Sequence, residues 1–502
     1  MSSAVPLVAL AGVGLLSCSG SLVVPPTPTS LRIGVATPSQ AAPGSGLNLL
    51  VDLLSLEPLV SVAADGREFP RLAHSWSWEE GHRRLIVRLE KDVVFHDGTP
   101  LTSELVATVL RASVASGQFP SFSSIVNVVA NADDTVELRL RTPDSFVLPD
   151  LAWISLARPQ KPHVGTGPYQ LQAGKERDAG VLTAFNRYHQ GRPSITRIEI
   201  GAYATQRKAW AAMMRGEIDM VYDACREGAD FIEAETTVKM FSFPRAYYVP
   251  LVFNVRHPVL RNPEIRRALN MAVDKAAAVR DGLRNRGRPA ESPVWPEHWA
   301  NDQSYRSFSF DPDAARAALD RAGVPVTRSS PSAMPSRFSF TCLVFANDAR
   351  FERLALVLQK QLFDVGVEMK LEPVSLAQLA ARAAKGDFDA FLSELASVRS
   401  LSYVYYFWHS PRAGSLFDSG YIAADSALEH MRQATSDAET RAATADLLRV
   451  FRNDPPAIFV AWQEQARAVS ARFEVPDAPQ RDIIGSIWQW RVRPASQVQA
   501  AR

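Results

Sequence analysis

Residues 205–221 (TQRKAWAAMMRGEIDMV) and residues 375–391 (SLAQLAARAAKGDFDAF) decide the fold class, because each predicts a helix that ends at a glycine and leads directly into a strand. Gly216 and Gly386 stand just past the predicted helices, where a left-handed backbone is cheap only without a Cβ. One shared helix-turn-strand unit often arises by chance. The pair is therefore only a first indication of two similar α/β lobes.

The second half of the chain continues the alternation of helices and strands. Asn262 and Pro263 form a good helix start, with Asn as the cap and Pro in the first turn. Residues 367–371 alternate as a strand. This alternation predicts a mostly parallel sheet covered on both faces, and a site between the lobes. Apolar residues recur at helical spacing in two sets: Ile265, Ala268, Leu269, Ala272 and Val273, and Leu354, Val357, Leu358, Leu362 and Val365.

A smaller module is predicted in the first third of the chain. Residues 84–89 and 135–140 alternate in polarity, which indicates antiparallel strands. Between them, Thr102 is the predicted cap of a helix that runs to about Ala112. The module is therefore expected to be rich in β structure.

Composition excludes several classes of protein. With 502 residues, 46% hydrophobic and 22% charged, the chain is globular and too long for one core. Lys+Arg total 55 and Asp+Glu total 53, a net charge of +2, which gives no reason to expect a nucleic-acid partner. The three cysteines cannot form a disulfide framework or a four-thiolate zinc site.

The first 30 residues predict export from the cytoplasm. Residues 5–16 are almost wholly apolar, but shorter than the ~20 residues that span a bilayer, which is typical of a secretory signal. Leu15-Leu16-Ser17-Cys18 resembles a lipoprotein cleavage box, so residues 1–18 are predicted to be a signal peptide that leaves Cys18 lipid-anchored. A plain signal with an incidental Cys is the alternative, and residues 2–6 lack the positive charge of a signal. Residues 19–30, rich in Ser, Pro and Thr, predict a flexible tether.

Local signatures of catalysis are missing from the sequence. There is no phosphate-binding loop ending in Lys-Ser/Thr, no His-Glu-x-x-His and no Gly-x-Ser-x-Gly elbow. The nine histidines are scattered, and none pair at metal-binding spacing. We therefore expect no enzyme activity, cofactor or metal, although a triad assembled in space stays open.

An aromatic cluster at Tyr403, Tyr405, Tyr406, Phe407 and Trp408 has two interpretations. Such side chains can line a pocket, with large apolar faces and polar tips. They can equally fill a core. The sequence leaves these alternatives open.

A series of short stretches occurs in a characteristic order and spacing. They are Glu57-Pro58-Leu59-Val60, 70–76 (PRLAHSW), 95–102 (FHDGTPLT), 165–169 (GTGPY), 186–188 (NRY), 191–193 (GRP), 215–219 (RGEID), 253–254 (FN) and 266–274 (RRALNMAVD). Each motif is modest, but their combination is specific, and it resembles the family 5 extracellular solute-binding proteins, the oligopeptide-, dipeptide- and nickel-binding components of ABC importers. The resemblance extends over nearly all of residues 31–490. It implies that Cys225 and Cys342 fall in different lobes, so we expect them to be unpaired.

This resemblance implies an α/β, two-lobed periplasmic binding protein fold of type II, cluster C. Lobe I is expected at residues 31–60, 164–245 and 470–495, an additional β-rich subdomain at 61–163, and lobe II at 246–469. A small solute is expected to be clamped between the lobes and passed to the permease of an ABC transporter. The protein is expected to act as a monomer in the periplasm or at the cell surface, held to the membrane by a lipid on Cys18. Gly165 and Gly167 are expected to let the chain turn at the junction of the subdomain.

The resemblance also gives candidate ligand-binding residues, from segments that face the cleft in this fold. Between residues 157 and 164 the connection is shorter than the family usually has. In peptide binders of the family an aspartate pairs with the ligand's ammonium, but Ser397 or Val398 stands there in this chain. Glu394 or Glu57 could supply the charge; alternatively Arg399 binds an anionic group, or forms a surface or interlobe salt bridge. The candidates are Glu57, Trp153, Asn254, Glu394, Arg399, Tyr405, Tyr406 and Trp408.

Other functions remain open at this point. The closed form could signal to a membrane receptor instead of a permease, or the chain could be a degenerate binding protein without a transport role. A secreted hydrolase on a similar scaffold is the third alternative. The cargo itself, peptide-like or another small polar molecule, is not given by the sequence.

Overall fold

The computed structural model describes residues 29–36, 45–131, 134–172, 179–224, 237–327, 335–346, 348–410, 416–477 and 481–494. The predicted signal peptide of residues 1–18, with its lipid-anchor residue Cys18, lies outside these described residues, as do most of the tether of residues 19–30 and Cys225. Ser30, predicted as the last tether residue, instead begins the first strand.

Strands make up the framework of the chain. In chain order they are β1 Ser30–Ala36, β2 Val60–Val62, β3 Glu68–Pro70, β4 Ala73–Glu79, β5 Arg84–Leu89, β6 Ile125–Asn131, β7 Thr135–Leu140, β8 Tyr169–Leu171, β9 Ala179–Ala184, β10 Arg197–Tyr203, β11 Met220–Val221, β12 Val238–Phe253, β13 Gly287–Pro289, β14 Phe338–Phe345, β15 Val367–Val374, β16 Ala390–Leu392, β17 Leu395–Ala396, β18 Ala457–Ser470, β19 Phe473–Glu474 and β20 Arg491–Val492.

Helices cover these strands. They are α1 Ser45–Ser55, α2 Ser103–Ser116, α3 Val147–Asp150, α4 Gln206–Met214, α5 Pro263–Met271, α6 Lys275–Ala277, α7 Pro312–Arg321, α8 Ala349–Phe363, α9 Leu376–Lys385, α10 Leu401–Trp408, α11 Asp425–Gln433 and α12 Asp437–Asn453, with short 3₁₀ turns at Pro120–Ser124, Leu151–Trp153 and Ile483–Gln489 and a π turn at Ala278–Gly282. Within the part of the chain that the structure describes, no helix combines the length and apolarity needed to cross a bilayer.

One large sheet extends through both lobes, in the order β15-β14-β16-β12-β18-β11-β1-β10-β9-β8. We call lobe I the half with β8 to β11, β1, α1 and α4, and lobe II the half with β14 to β16, α5 and α7 to α12. The expectation of a mostly parallel sheet was wrong. β1 pairs in parallel with β10 and β11, and β14 with β15 and β16, but β12 and β18 run antiparallel to each other and to their neighbours because the chain enters and leaves lobe II through them.

The β-rich subdomain has its own sheet and core. Its strands pair antiparallel in the order β4-β5-β7-β6, and α2 packs on that sheet. Thr102 caps α2 by accepting a hydrogen bond from Leu105 N, as the sequence predicts. The hairpin of β2 and β3 and the helix α3 complete the subdomain. Their apolar residues, among them Val60 and Val147, join the same core.

Two large hydrophobic clusters fill lobe II, one on each side of the sheet. Tyr405, Phe407 and Trp408 belong to one of them, together with residues of α11 and α12. Cys342 is a free thiol in the other cluster and is wholly buried. Lobe I has a separate core built on β1 and β10 and sealed by Trp490 near the C-terminus. Each lobe is therefore a packed unit, and the two meet along β12 and β18.

Candidate functional site

The two long strands lose register where they pass between the lobes. β12 and β18 pair from Val238 with Ser470 to Pro244 with Glu464, and resume at Tyr248 with Trp462. Residues 245–247 therefore stand opposite Gln463 alone. Such a bulge bends a strand and turns its side chains in new directions. The irregularity lies where the two strands pass from one lobe to the other.

Charged groups converge at this bulge. The Nη1 atom of Arg245 donates to Glu394 Oε2 at 2.9 Å and to Gln463 Oε1 at 3.2 Å. The Tyr247 ring lies 3.8 Å from the guanidinium carbon of Arg245. Because Glu394 is held in an ion pair by Arg245, its carboxylate is already matched by a positive charge.

The loop that carries Arg399 has an unusual backbone. Val398 and Arg399 have φ of 47° and 60°, left-handed values that cost roughly 1–2 kcal/mol for each residue with a Cβ. The loop is fixed to the bulge because Ser397 N and Val398 N both donate to Ala246 O, at 2.8 and 3.2 Å. The strain turns the Arg399 side chain onto Trp295, whose ring centre lies 5.2 Å from the guanidinium carbon.

Arg399 lies next to the C-terminal segment of lobe I. Burial, followed by the positive charge of Arg481, lowers the pKa of the Arg399 guanidinium. Asp482 acts in the opposite direction and is itself anchored on β18, since Arg467 Nη2 donates to Asp482 Oδ2 at 2.7 Å. Residues from both lobes thus determine the charge around Arg399.

A second pair of opposite charges, Arg350 and Asp223, comes from different lobes. Arg350, at the start of α8 in lobe II, donates to both carboxylate oxygens of Asp348. Burial opposes the charged form of Arg350, but the hydrogen bond and charge of Asp348 raise its pKa, and Glu394 and Asp223 act in the same direction. Asp223 follows β11 of lobe I. Its carboxylate therefore acts on Arg350 from the other lobe.

Glu57 is placed at the junction of lobe I and the subdomain, not at the bulge. It is 1% exposed. Tyr188 and Arg71 contact its Oε1 atom at 3.0 and 3.2 Å, while Thr166 and His189 contact Oε2 at 3.0 and 3.1 Å. The surrounding donors satisfy this carboxylate, which joins the subdomain to lobe I.

Gly165 and Gly167 lie at the same junction of lobe I and the subdomain. Close packing requires glycine at both positions, not the turn that the sequence predicts. Neither has a positive φ. A Cβ on Gly165 would lie 2.2 Å from the Ser55 carbonyl oxygen, and one on Gly167 would lie 2.8 Å from it. The glycines are required because the chain passes directly against the end of α1, which also allows Gly167 N to donate to Ser55 O.

Asn254 ties the end of β12 to the loop after α9. Its Nδ2 atom donates to Gly386 O and Phe388 O at 3.0 and 2.7 Å, and its Oδ1 accepts from Arg256 N at 3.0 Å. Asn254 is buried, and its amide is fully used by the backbone.

Helix α10 carries the aromatic cluster, with some of its rings in the core and others nearer the surface. Tyr405 and Trp408 are 1% and 2% exposed, and they donate to Glu429 Oε1 and Tyr248 Oη at 2.7 and 2.9 Å. Tyr406 is half-buried on the opposite side, with its ring 6.1 Å from that of Tyr403.

The structure therefore groups some of the predicted site residues and separates others. Glu394 pairs with Arg245 of the bulge, and the loop that carries Arg399 is hydrogen-bonded to Ala246 of the same bulge. Trp153 and Tyr406 both lie beside Tyr403. The other four, Glu57, Asn254, Tyr405 and Trp408, are buried in separate places with their own partners. Sequence reasoning missed Arg245, Tyr247, Arg350 and Asp223. The available signals were a basic residue in the middle of a largely apolar strand, for Arg245, and a carboxylate two residues after β11, for Asp223.

The chain is similar in sequence to a family of known proteins. A family model described as bacterial extracellular solute-binding proteins, family 5 Middle, matches residues 69–415. The chain is 25% identical over 337 residues to the probable D,D-dipeptide-binding periplasmic protein DdpA of Escherichia coli K12, covering 63% of each chain. It is 27% identical over 327 residues to the glutathione-binding protein GsiB of the same strain, covering 62% of each. The match thus spans less than two thirds of these relatives.

Solved structures match over more of the chain. The crystal structure of NikZ from Campylobacter jejuni, in complex with Ni(L-His), has a TM-score of 0.76 at 20% identity, and the match covers 92% of this chain and 99% of that one. At this level of identity the likeness concerns the fold. It is the two-lobed α/β fold that the large sheet and the bulge describe.

Proposed function

Because the chain belongs to the bacterial extracellular solute-binding proteins of family 5, we propose that it captures a small solute between its two lobes and delivers it to the permease of an ABC importer. Relatives bear names of dipeptide-binding and glutathione-binding proteins. A peptide-like or other small polar molecule is accordingly our proposal for the cargo. Members of this family are binding proteins, and we propose that this chain also releases its solute unchanged.

The observation that carries the proposal is the bulge between β12 and β18. The ladder between the lobes is interrupted twice within a few residues, by residues 245–247 opposite Gln463 and again between Val249 and Pro250. Closure can therefore be achieved by bending at one place while both lobe cores stay intact. A solute that contacts both lobes favours the closed state by the difference in its affinity for the two states.

Charges on both walls of the cleft would orient such a solute. Arg245 and Glu394 offer a paired donor and acceptor at the floor, while Arg399 presents a guanidinium stacked on Trp295. We propose that Glu394 and Arg399 contact the cargo, with Arg245 and Tyr247 as further contacts. Arginine binds carboxylate groups through two parallel hydrogen bonds, which suits an acidic end of a peptide-like solute.

The location of the protein is part of the proposal. We propose that residues 1–18 direct export, that Cys18 carries a lipid, and that the protein works as a monomer in the periplasm or at the cell surface. Mass spectrometry of Cys18 after membrane extraction tests the anchor directly.

Thermal unfolding with a solute panel tests the capture of a solute. The panel contains dipeptides, glutathione and nickel with L-histidine, each titrated into refolded, cargo-free protein. We expect a saturable rise in Tm for one class and a smaller radius of gyration by X-ray scattering. Arg399→Ala should weaken that binding, whereas Arg280→Ala, an exposed ion-pair residue of lobe II, should leave it unchanged. Native mass spectrometry of protein purified from its host identifies a co-purified solute. If that solute, added back to cargo-free protein, changes neither Tm nor radius, the proposal is wrong.

A further inference from the structure

A cavity lies where the subdomain meets lobe II, away from the bulge between β12 and β18. It has a volume of about 130 Å³. Its walls include Phe119 and Asp150 of the subdomain and Ser402, Tyr403 and Tyr406 of lobe II. Both units contribute to the cavity, so whatever binds there contacts both.

The cavity contains a buried carboxylate. Asp150 is 1% exposed and accepts hydrogen bonds from Ser121 Oγ at 2.5 Å and Ser402 Oγ at 2.7 Å. Among the described residues no ion pair forms to Asp150, because Arg432, whose charge acts on it, donates to Asp144 instead at 2.7 Å. Two hydroxyl donors leave a carboxylate with further acceptor capacity.

Burial without a paired cation disfavours the charged form of Asp150. Burial is the largest cause and the neighbouring charge of Asp144 adds to it, and together they raise the pKa of Asp150 to about 7. The hydroxyl donors Ser121 and Ser402 and the charge of Arg432 act in the opposite direction. A cation beside the carboxylate would remove this penalty.

Aromatic rings form much of the wall. The rings of Tyr403 and Tyr406 lie 6.1 Å apart at 53°. Phe119 adds a third ring from the subdomain. Faces of aromatic rings attract cations that lie within about 6 Å. Carboxylate and rings therefore favour the same kind of ligand, an organic cation with a small apolar part.

We propose that this cavity binds a small organic ammonium group, with Asp150 as its counter-ion and Tyr403 and Tyr406 as its aromatic wall. The group is either the ammonium of the imported solute, in which case the inference rests on the proposed function, or a separate small amine. Either ligand holds the subdomain against lobe II, since Asp150 belongs to one and Ser402 to the other.

The pH dependence of binding has a defined sign. The ammonium needs the ionised form of Asp150, and Asp144, Arg432 and Tyr403 are the other titratable groups that act on this carboxylate or lie beside it. With a pKa of about 7, roughly nine tenths of Asp150 is ionised at pH 8 and a few per cent at pH 5.5. Affinity for an amine should fall about 30-fold between these values.

Calorimetric titration with n-propylammonium tests the cavity without any knowledge of the cargo, and n-propanol is the neutral control ligand. We expect saturable binding of the amine only, weakened at least tenfold in Asp150→Asn. The exposed carboxylate variant Glu80→Gln should bind as the unmodified protein does. Tyr406→Phe, which keeps the ring, should bind normally, whereas Tyr406→Leu should lose about threefold to tenfold.

The two sources of the ammonium are separated by Gly-Leu and its N-acetyl form. Stronger binding of Gly-Leu than of acetyl-Gly-Leu, abolished by Asp150→Asn, assigns the site to the solute. Binding of n-propylammonium together with an unaltered Gly-Leu response in Asp150→Asn assigns it to a separate amine. Equal binding of n-propylammonium and n-propanol, or an unweakened folded Asp150→Asn, overturns the inference. A protein that binds the amine but never closes on a solute contradicts only the proposed function.

Discussion

Arg245 of β12 donates to Glu394 at 2.9 Å at the point where the two strands joining the lobes lose register. Both side chains are partly exposed, at 29% and 27%. The ion pair connects the bulged strand to the segment that carries the left-handed loop at Val398 and Arg399. It therefore links the bending point of the molecule to the residue proposed to contact the solute.

The strength of this ion pair can be measured by a double-mutant cycle with Arg245→Ala and Glu394→Gln. Because both groups reach solvent, we expect a coupling of only about 1 kcal/mol in the free energy of unfolding. Urea unfolding of the four proteins gives the value. A coupling of several kcal/mol would mean that the pair is a major source of stability and not chiefly an element of the site.

A substitution at Gly66 should hinder closure. The tip of the β2–β3 hairpin is seated on lobe II, where Trp295 Nε1 donates to Ala64 O at 2.9 Å. A Cβ on Gly66 would lie 2.3 Å from the His298 ring and 2.8 Å from Arg399 O. We expect Gly66→Ala to increase the radius of gyration measured by X-ray scattering.

Gly81→Ala is the matched control for that experiment. Gly81 also lies in the subdomain and has a positive φ of 63°, but no atom lies within 4 Å of a Cβ built on it. Both variants should be less stable to unfolding, because alanine is strained at a positive φ. Only Gly66→Ala should change the radius of gyration. Equal behaviour of the two would show that the hairpin does not control closure.

Gly165→Ala should destabilise the junction between lobe I and the subdomain. The new methyl group would meet Ser55 O at 2.2 Å and Leu56 Cδ2 at 2.5 Å, so backbone must move. We expect a loss of about 1–3 kcal/mol in the free energy of unfolding, as for other overpacked sites. Gly485→Ala, where nothing lies within 4 Å, should change it little in the same urea titration.

His298 should make stability depend on pH. It is 4% exposed, and burial lowers its pKa from 6.5 to about 4. Below pH 6.5 the unfolded chain takes up a proton at this residue that the folded protein does not take up until about pH 4. The stability contributed by the neutral ring is therefore complete above pH 6.5 and is lost as pH falls toward 4.

Urea unfolding at pH 7.5 and pH 5.0 measures this effect. The unmodified protein should lose about 2 kcal/mol more between these pH values than His298→Gln does. His74→Gln, which alters a largely exposed ring, should show the same pH dependence as the unmodified protein. No difference between His298→Gln and the unmodified protein would contradict the prediction.

Local features were predicted well because neighbouring residues determine them. Thr102 and Asn262 cap their helices as predicted, and Gly386 ends α9 with a left-handed φ of 69°. Each feature depends on a hydrogen bond or a backbone angle within four residues. The two-lobed fold was inferred from the order of such motifs, and the family match bears it out.

Long-range features could not be predicted in the same way. β12 contains Pro244 and Pro250 and passes from mostly half-buried residues to six consecutive buried ones, so it shows no steady alternation. The burial of Glu57 depends on Thr166 and Tyr188, more than 100 residues away. A motif locates such a residue in the chain but does not reveal whether its charge is already satisfied.

The pairing of β12 with β18 has a mechanical consequence. The chain leaves β12 at Phe253 and returns to β18 at Ala457. These two points are adjacent, since Phe253 N donates to Pro456 O at 3.0 Å. Because β12 and β18 are antiparallel and Val238 lies beside Ser470 at the end nearest the termini, tension applied at the two chain termini must unzip this ladder from that end before it loads the residues inserted beyond it. In an optical-tweezer experiment the half of the molecule nearest the termini should rip open first, and the inserted half should follow as a separate, later event.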